Sequence, residues 1–583
     1  MLVITAALLM VAISWRKWPE VLVDFGLQLY IPWQLSTGNV LYRDIAYLPG
    51  GPFSQYLNAG LFKLFGTSMM TLAIANAALT STLLFATYRW FRKASDTLTA
   101  TLIVLGIILA FAFSQPFEMG NYNFITPYSH EAFHGFVLGI LTIGFLSNWV
   151  LTGKRGSLVC AALCFGTVFL TKPEMFLAVT CAIMAGFVFS RSKPLFVQSL
   201  VIFAGVGVLP SLGFLCYFLQ FDSLQSSLKS VSWAWIPLFT SDVSDNPFYR
   251  WCLGLDAPLR NVKLMLLHFA VFTGIVVVLL LRFRRSHATS RARLITILLI
   301  AIIAVGTVLF DWTDSGRALP LITLGGLTLI FWQRKWFFSH PSKALFPVLW
   351  GIFSLVLLAK MGFHSRIWHY GFLLAMPAFV WAIYLLVHLL PHRFIHDSVN
   401  QLWFRRSILF LLLIAFTRLA AQSAAIYAKR DFAIGTGGDR IVTWNEKTSV
   451  SAEVAEALEW IETNVSEKET LAVLPEGAML NYLSRRSNPT PYLVLMAEVE
   501  VYGMQNMTIA YQKNPPDFIV LMHRETAEYG WNYFGKDKVY GLDLMNWINE
   551  NYKPVHRIGY EPLRNGLFGI KMLKRIPPVQ PGH

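Results

Sequence analysis

The chain has 583 residues, of which 55% are hydrophobic and only 14% charged, with a mean hydropathy of +0.51. That is too apolar for a water-soluble globule, so soluble enzymes and soluble binding modules are excluded as classes. The net charge of +15 is uneven: residues 1–430 hold 33 basic and 14 acidic side chains, residues 431–583 hold 15 and 19, so the basicity belongs to the apolar part and needs no nucleic acid.

A helix needs about 20 apolar residues to cross a bilayer. Such runs predict about thirteen spans, near 1–14, 68–90, 97–114, 131–150, 157–171, 175–190, 195–219, 264–282, 294–310, 320–332, 346–360, 371–390 and 407–424. The first has no basic start and no small-residue cleavage site, so it reads as a retained helix and not a signal peptide. Lys and Arg concentrate in alternate loops, at Arg89/Arg92/Lys93, Lys154/Arg155, Arg191/Lys193, Arg282 to Arg293, Arg334/Lys335/Lys343 and Arg393/Arg405/Arg406. Basic loops face the cytoplasm, so the stretch after the first span and the tail after residue 424 are expected outside. Of the fourteen Asp and Glu in residues 1–430, only Asp96 and Asp397 then lie on the cytoplasmic side. Charges at membrane depth are costly and usually functional, so the outer face is the expected working face. Cys160, Cys164, Cys181 and Cys216 lie in spans and Cys252 is alone outside, so no disulfide framework is expected.

Residues 20–66 read as a loop at the membrane surface, carrying Glu20, Asp24, Arg43, Asp44 and several aromatics. A site for a charged lipid headgroup needs that mixture; a solvated loop does not. Asp24, the run from Gly38 through Tyr42, Arg43 and Asp44 to Ile45, then Gly51-Pro52 and Leu64-Phe65-Gly66, resemble the first extracytoplasmic loop of the GT-C glycosyltransferases. Within that superfamily the bacterial enzymes akin to aminoarabinose transferase and the protein mannosyltransferases are the nearest in pattern. The resemblance is best over the first 180 residues. It implies a catalytic or acceptor-orienting role for Asp24.

The next outer loop, from Gln115 to Gly135, is crowded with polar groups where a helix re-enters lipid. Ser129 is a helix cap with Glu131 in the first turn. His130-Glu131-Ala132-Phe133-His134 matches H-E-x-x-H, which on a helix sets two histidines on one face beside a glutamate, as in zinc metalloproteases. A protease needs a third ligand, and no later motif supplies one. Interfacial polar residues at a helix start explain the pattern equally well. The family resemblance makes it a second acidic motif, with Tyr128 beside it, and allows a divalent metal at Asp24, Glu131 and His130.

Lys172-Pro173-Glu174 breaks an apolar run; Lys172 suits a phosphate, or pairs with Glu174. The outer loop 220–263 holds Trp233, Trp235, Tyr249 and Trp251, either an aromatic belt or a lid over a lipid-linked donor. Asp311 to Pro320 carries Asp314 and Arg317; Lys360 to Gly371 carries His364, Arg366 and His369. Arginine's planar fork suits phosphate, so Arg317 and Arg366 are candidates for it. The alternatives are an Asp314–Arg317 pair and a snorkelling Arg366. Residues 431–583 regain charge and turn signals. An amphipathic helix from Ser449 to about Asn464, strands at 470–474, 518–522 and 568–573 and a helix at 541–552 predict a small α/β domain without a nucleotide loop.

The sequence thus predicts an α-helical polytopic membrane protein, with a GT-C-like catalytic domain at 1–430 and an extracytoplasmic α/β domain at 431–583. The resemblance implies an inverting glycosyltransferase in a bacterial inner membrane. Its donor is a polyprenyl-phosphate sugar and its acceptor a glycan, lipid or protein. Candidate catalytic residues are Asp24 and Glu131. Arg43, Asp44, Tyr128, Lys172, Arg317, His364, Arg366 and His369 are candidates for substrate binding, although Arg43 beside Asp44 also reads as a structural pair. A zinc metalloprotease or a lipid or solute transporter remains the alternative.

Overall fold

The computed structural model describes residues 1–118, 120–190, 196–241, 245–284, 290–332, 339–444, 450–496 and 498–577. The basic positions Arg191, Lys193, Arg285, Arg334 and Lys335 and the helix start expected at Ser449 lie outside the described residues.

Among the described residues nine helices are long and apolar enough to cross a membrane, and four shorter apolar helices accompany them. Together they cover the predicted segments, and the chain is a multi-pass membrane protein. Polar caps set where several begin: Ser68 accepts from the Thr71 amide, Asp96 from Thr99, Ser129 from Ala132 and Asp397 from Asn400. Phe91 meets Phe346 and Trp350 edge to face in the bundle core, with Tyr384 tilted against it. The break before Pro173 is real: one helix ends at Phe169 and the next starts at Pro173. Its freed carbonyls are not orphaned, because the Gly51 amide donates to Thr171 O at 2.7 Å and the Phe53 amide to Leu170 O at 3.2 Å.

Residues 20–66 are not the loop that the polar composition suggests. They hold two helices, Phe25–Ser36 and Pro52–Phe65, packed against each other. Their apolar faces bury Phe25, Leu29, Ile31 and Phe62 against the C-terminal region, not against lipid.

That region opens with a hairpin of β1 (Arg430–Ile434) and β2 (Ile441–Trp444). The segment before Asp24 is laced onto it. The Val442 amide donates to Arg16 O at 2.9 Å, Lys17 Nζ to Tyr427 O at 2.8 Å, and the buried Arg430 guanidinium to the carbonyls of Lys17 and Pro19. Beyond it lies a four-stranded sheet of β3 (Leu471–Leu474), β4 (Phe518–Met522), β5 (Tyr552–Gly559) and β6 (Gly569–Arg575), in the order β3-β4-β6-β5. β3 and β4 run parallel; the other pairs are antiparallel. Apolar runs revealed β3, β4 and β6. β5, with the pattern Tyr-Lys-Pro-Val-His-Arg, lies at the sheet edge and is half solvated, so hydropathy does not mark it.

The tightest joint between bundle and C-terminal region is at Gly26. A Cβ there would lie 2.3 Å from the Met479 amide nitrogen and 2.7 Å from its Cα. Only glycine lets the two backbones approach so closely. Gly26→Val is expected to destabilise the protein by about 1–3 kcal/mol, as overpacking does, and to free the C-terminal region. The check is a lower thermal midpoint in detergent together with faster proteolytic release of that region; wild-type values on both measures would contradict the joint.

Candidate active site

Asp24 stands at the N-terminus of Phe25–Ser36 with φ 61°, in the left-handed region that non-glycine residues avoid. Its amide points at Glu476, whose Oε1 is 3.5 Å away. Glu476 follows β3. Arg524, which follows β4, donates Nε to Glu476 Oε2 at 2.9 Å and Nη2 to Glu528 at 3.0 Å. Both residues therefore sit just past the carboxyl ends of the two parallel strands, where open α/β sheets place ligand-binding groups. Burial, reinforced by the neighbouring Glu476 carboxylate, pushes Asp24 up to about 7, while Arg524 and Lys172 pull it back. Glu498 is pushed up to about 8, first by burial and then by Glu476 and Asp24. Three carboxylates thus meet two cations at one mouth, and Asp24 is the one that burial and the Glu476 charge bring near neutral pH.

On the bundle side of Asp24 lies an aromatic wall. Lys172 Nζ stands 5.0 Å from the centroid of the Tyr128 ring, and Tyr128 packs against Tyr122 and Tyr370. Tyr122 in turn lies against His369, with centroids 4.9 Å apart. Burial and the Asp24 charge hold the Tyr122 hydroxyl above its ordinary value, and Arg366 pulls it the other way, so one side chain feels both. Arg366 is 1% exposed. Its guanidinium carbon is 4.2 Å from the Trp251 ring centroid and 4.8 Å from that of Trp368. Nη1 donates to His364 Nδ1 at 2.8 Å, Nη2 approaches His369 Nδ1 at 3.4 Å, and Nε has no hydrogen bond. No carboxylate pairs with Arg366 among the described residues. A buried cation without a counter-anion is a site for one.

The other predicted residues fall elsewhere. Glu131 is fully buried and accepts from Gln55 Nε2 at 2.7 Å and Ser129 Oγ at 3.0 Å. Gln55 and Gln28 both donate to Tyr47 Oη. His130 donates Nδ1 to Gln28 Oε1 at 2.8 Å and its Nε2 accepts from Asn76 at 3.0 Å. Both nitrogens of His130 are spent, so the metal expected on Asp24, Glu131 and His130 does not fit. Among the described residues no three His, Cys, Asp or Glu side chains are grouped to hold a metal ion. Glu131 is a strut of this network and not a free acid. Arg43 grips Asp44 through Nε and Nη2 at 2.9 and 2.8 Å, half in solvent, and Asp44 also accepts from the Val40 amide. They form a structural pair away from Asp24. Arg317 lies 3.5 Å from Asp314, so it is not a free cation either, but Gly316 beside it packs on the Arg366 backbone. Of loop 220–263, Trp251 covers Arg366 and Trp233 stacks on Tyr502 while donating to Tyr47 O at 2.6 Å.

Two stability outcomes separate these roles. Asp24 has a folded value near 7 against an ordinary 3.8, so the folded state binds more protons and its stability falls as pH rises between about 4 and 7. Asp24→Asn is therefore expected to stabilise the protein at pH 8, by about 1–3 kcal/mol. Glu131→Gln turns an acceptor into a donor facing the Ser129 hydroxyl and is expected to cost about 1–2 kcal/mol. Thermal midpoints of the two variants measured at pH 5 and pH 8 check both signs.

No protein-family profile matches this sequence, and no curated protein matches it significantly. Solved structures do. ArnT from Cupriavidus metallidurans bound to undecaprenyl phosphate matches with a TM-score of 0.52 and 12% identity, covering 98% of this chain and 97% of that one. The Archaeoglobus fulgidus oligosaccharyltransferase in complex with Zn and sulfate matches with a TM-score of 0.51 and 15% identity, over 98% of this chain and 73% of the other. The same archaeal enzyme tethered to an acceptor peptide with the NVT sequon matches with a TM-score of 0.50 and 13% identity. At these identities the likeness is one of fold, and the chain has the fold that these two solved membrane proteins share.

Proposed function

We propose that the protein transfers a sugar from a polyprenyl-phosphate carrier to an acceptor on the face of the membrane that bears the C-terminal region, outside the cytoplasm of a bacterium. The observation that carries the reading is the pairing of opposites across Tyr122: an anion-seeking Arg366 and an aspartate poised near neutral pH. The likeness in fold to a protein solved with undecaprenyl phosphate supports it.

In this reading the carrier phosphate lies against Arg366, with Lys172 the second cation. The bond between the anomeric carbon and the phosphate oxygen breaks. Arg366 stabilises the phosphate monoester that leaves, in a water-poor setting where a fixed charge is worth most. Asp24 takes the proton from the acceptor nucleophile as that atom bonds to the anomeric carbon from the opposite face, which inverts the centre. A base with a value near 7 is half free at neutral pH and still basic enough to accept a proton. Burial and the Glu476 carboxylate hold it there, so the C-terminal region contributes to catalysis and to the acceptor side. The H-E-x-x-H protease reading loses its basis, since His130 and Glu131 are committed to Gln28, Asn76, Gln55 and Ser129.

Purified protein incubated with labelled polyprenyl-phosphate sugars is expected to release the carrier phosphate. Asp24→Asn and Arg366→Ala are each expected to lower the rate by about 10²–10⁴-fold, the range for a lost base or a lost charge stabiliser, with expression retained. Wild-type release by Asp24→Asn would refute the base assignment.

A further inference from the structure

A second charged cleft lies away from Asp24, at the end of the helix Ser290–Leu309 where it meets the helix Ser398–Ala428. Its volume is about 290 Å³, and Asp311, Trp312, Arg418 and Gln422 line it together with Leu309. From Ser398 to Arg418 is 20 residues, about 30 Å of helix, which matches the hydrocarbon thickness of a bilayer. Arg418 therefore stands one membrane thickness from the Asp397 cap, level with Asp311, on the face that bears the C-terminal region.

The charges in this cleft are not used up. Arg418 is exposed and makes no ion pair or hydrogen bond among the described residues. This contrasts with Arg405 on the same helix, which binds Asp96 at 2.7 Å. Asp311 spends Oδ1 on the Thr313 amide and hydroxyl, at 3.0 and 2.6 Å, and leaves Oδ2 free. Gln422 donates to Pro116 O at 3.0 Å, which fixes its side chain with the carbonyl oxygen unspent. The Trp312 indole donates to Thr307 O at 2.8 Å, which holds the ring at headgroup level. Below the cleft the helix Ser290–Leu309 presents bare apolar surface: Ile302, Val305 and Leu309 are 70, 60 and 78% exposed.

We propose that this cleft binds a zwitterionic phospholipid of the phosphoethanolamine class. Arg418 takes the phosphate, Asp311 the ammonium, and the acyl chains lie along Ile302, Val305 and Leu309. An anionic lipid would place its second polar group against Asp311 without an ammonium to neutralise it, and the quaternary ammonium of phosphatidylcholine has no N–H to donate to the carboxylate, so the pair selects a headgroup with a phosphate and a primary ammonium. Trp312 and Asp311 open the short helix Trp312–Ala318, and a Cβ on its Gly316 would lie 2.4 Å from Arg366 Cα. The bound lipid thus steadies the segment that backs the proposed phosphate site.

The full-length protein is taken through detergent into vesicles of phosphatidylcholine with a minor share of phosphatidylethanolamine or phosphatidylglycerol. Retained lipid is then counted by native mass spectrometry. Wild type is expected to retain phosphatidylethanolamine over phosphatidylglycerol by about tenfold, the value of one charge-assisted contact. Arg418→Gln is expected to lose retention of both, and Asp311→Asn only the preference. Soluble phosphoethanolamine, with the same charges and no acyl chains, is expected not to displace the lipid. Equal retention by Arg418→Gln, no preference in wild type, or displacement by the soluble headgroup each overturns the proposal. The readout does not depend on sugar transfer, so it stands apart from the fate of the catalytic reading. Both side chains are exposed, and thermal midpoints confirm that the variants fold.

Discussion

The close approach of Gly26 to the Met479 backbone is the contact on which the rest depends. It is a main-chain contact, so no side chain can bridge or loosen it. It brings the turn after β3 against the start of Phe25–Ser36, and with it Glu476 against Asp24. The left-handed backbone at Asp24 is held by what surrounds it: Arg430 pins the carbonyls of Lys17 and Pro19 from one side, and the strand-end turn closes the other. Strain of this kind persists only where the surroundings over-determine it. The burial that destabilises the charged form of the aspartate is also what would suit it to the base role proposed above.

The basic residues divide into those with a partner and those without. Arg43, Arg317, Arg405 and Arg524 each pair with a carboxylate, and Arg430 is spent on carbonyls beside Glu20. Arg366 is different: its neighbours are two indoles, two imidazoles and the Cys252 thiol. Burying a cation among aromatic faces is tolerable because they offer partial negative charge, but they leave room for a true anion. In the proposed reaction the carrier phosphate is that anion. Beside it Phe117, packed on Trp368, and Phe363 are each 39% exposed, an apolar surface suited to a lipid tail.

Much of this was legible in the sequence. Apolar run lengths marked the spans, and the polar caps refined their ends. The Lys172-Pro173 break, the Ser129 cap and the gathering of Asp24, Lys172, Tyr128, His364, Arg366 and His369 follow from polar residues set where helices leave lipid. Three things were not legible. Residues 25–36 and 52–65 are helical because they pack on a distant part of the chain, which no local pattern reveals. Glu131 and His130 carry the spacing of a metal site, yet Gln28, Gln55 and Asn76 absorb them, and those partners lie 54 to 102 residues away. Glu476, Glu498 and Arg524 belong to a region that reads as separate, and only the fold brings them to Asp24. The position of Glu476 and Arg524 just after two buried parallel strands was the available signal.

The central claim is that the Glu476 carboxylate, set across the joint between bundle and C-terminal region, adds to burial in holding Asp24 near neutral pH. The most direct measurement is the pH dependence of carrier release by wild type and by Glu476→Gln. The account predicts a wild-type rate that rises with pH through an inflection near 7. In Glu476→Gln that inflection moves to lower pH, because the like charge is gone and Arg524 is freed. An inflection that stays in place when Glu476 is neutralised would contradict it.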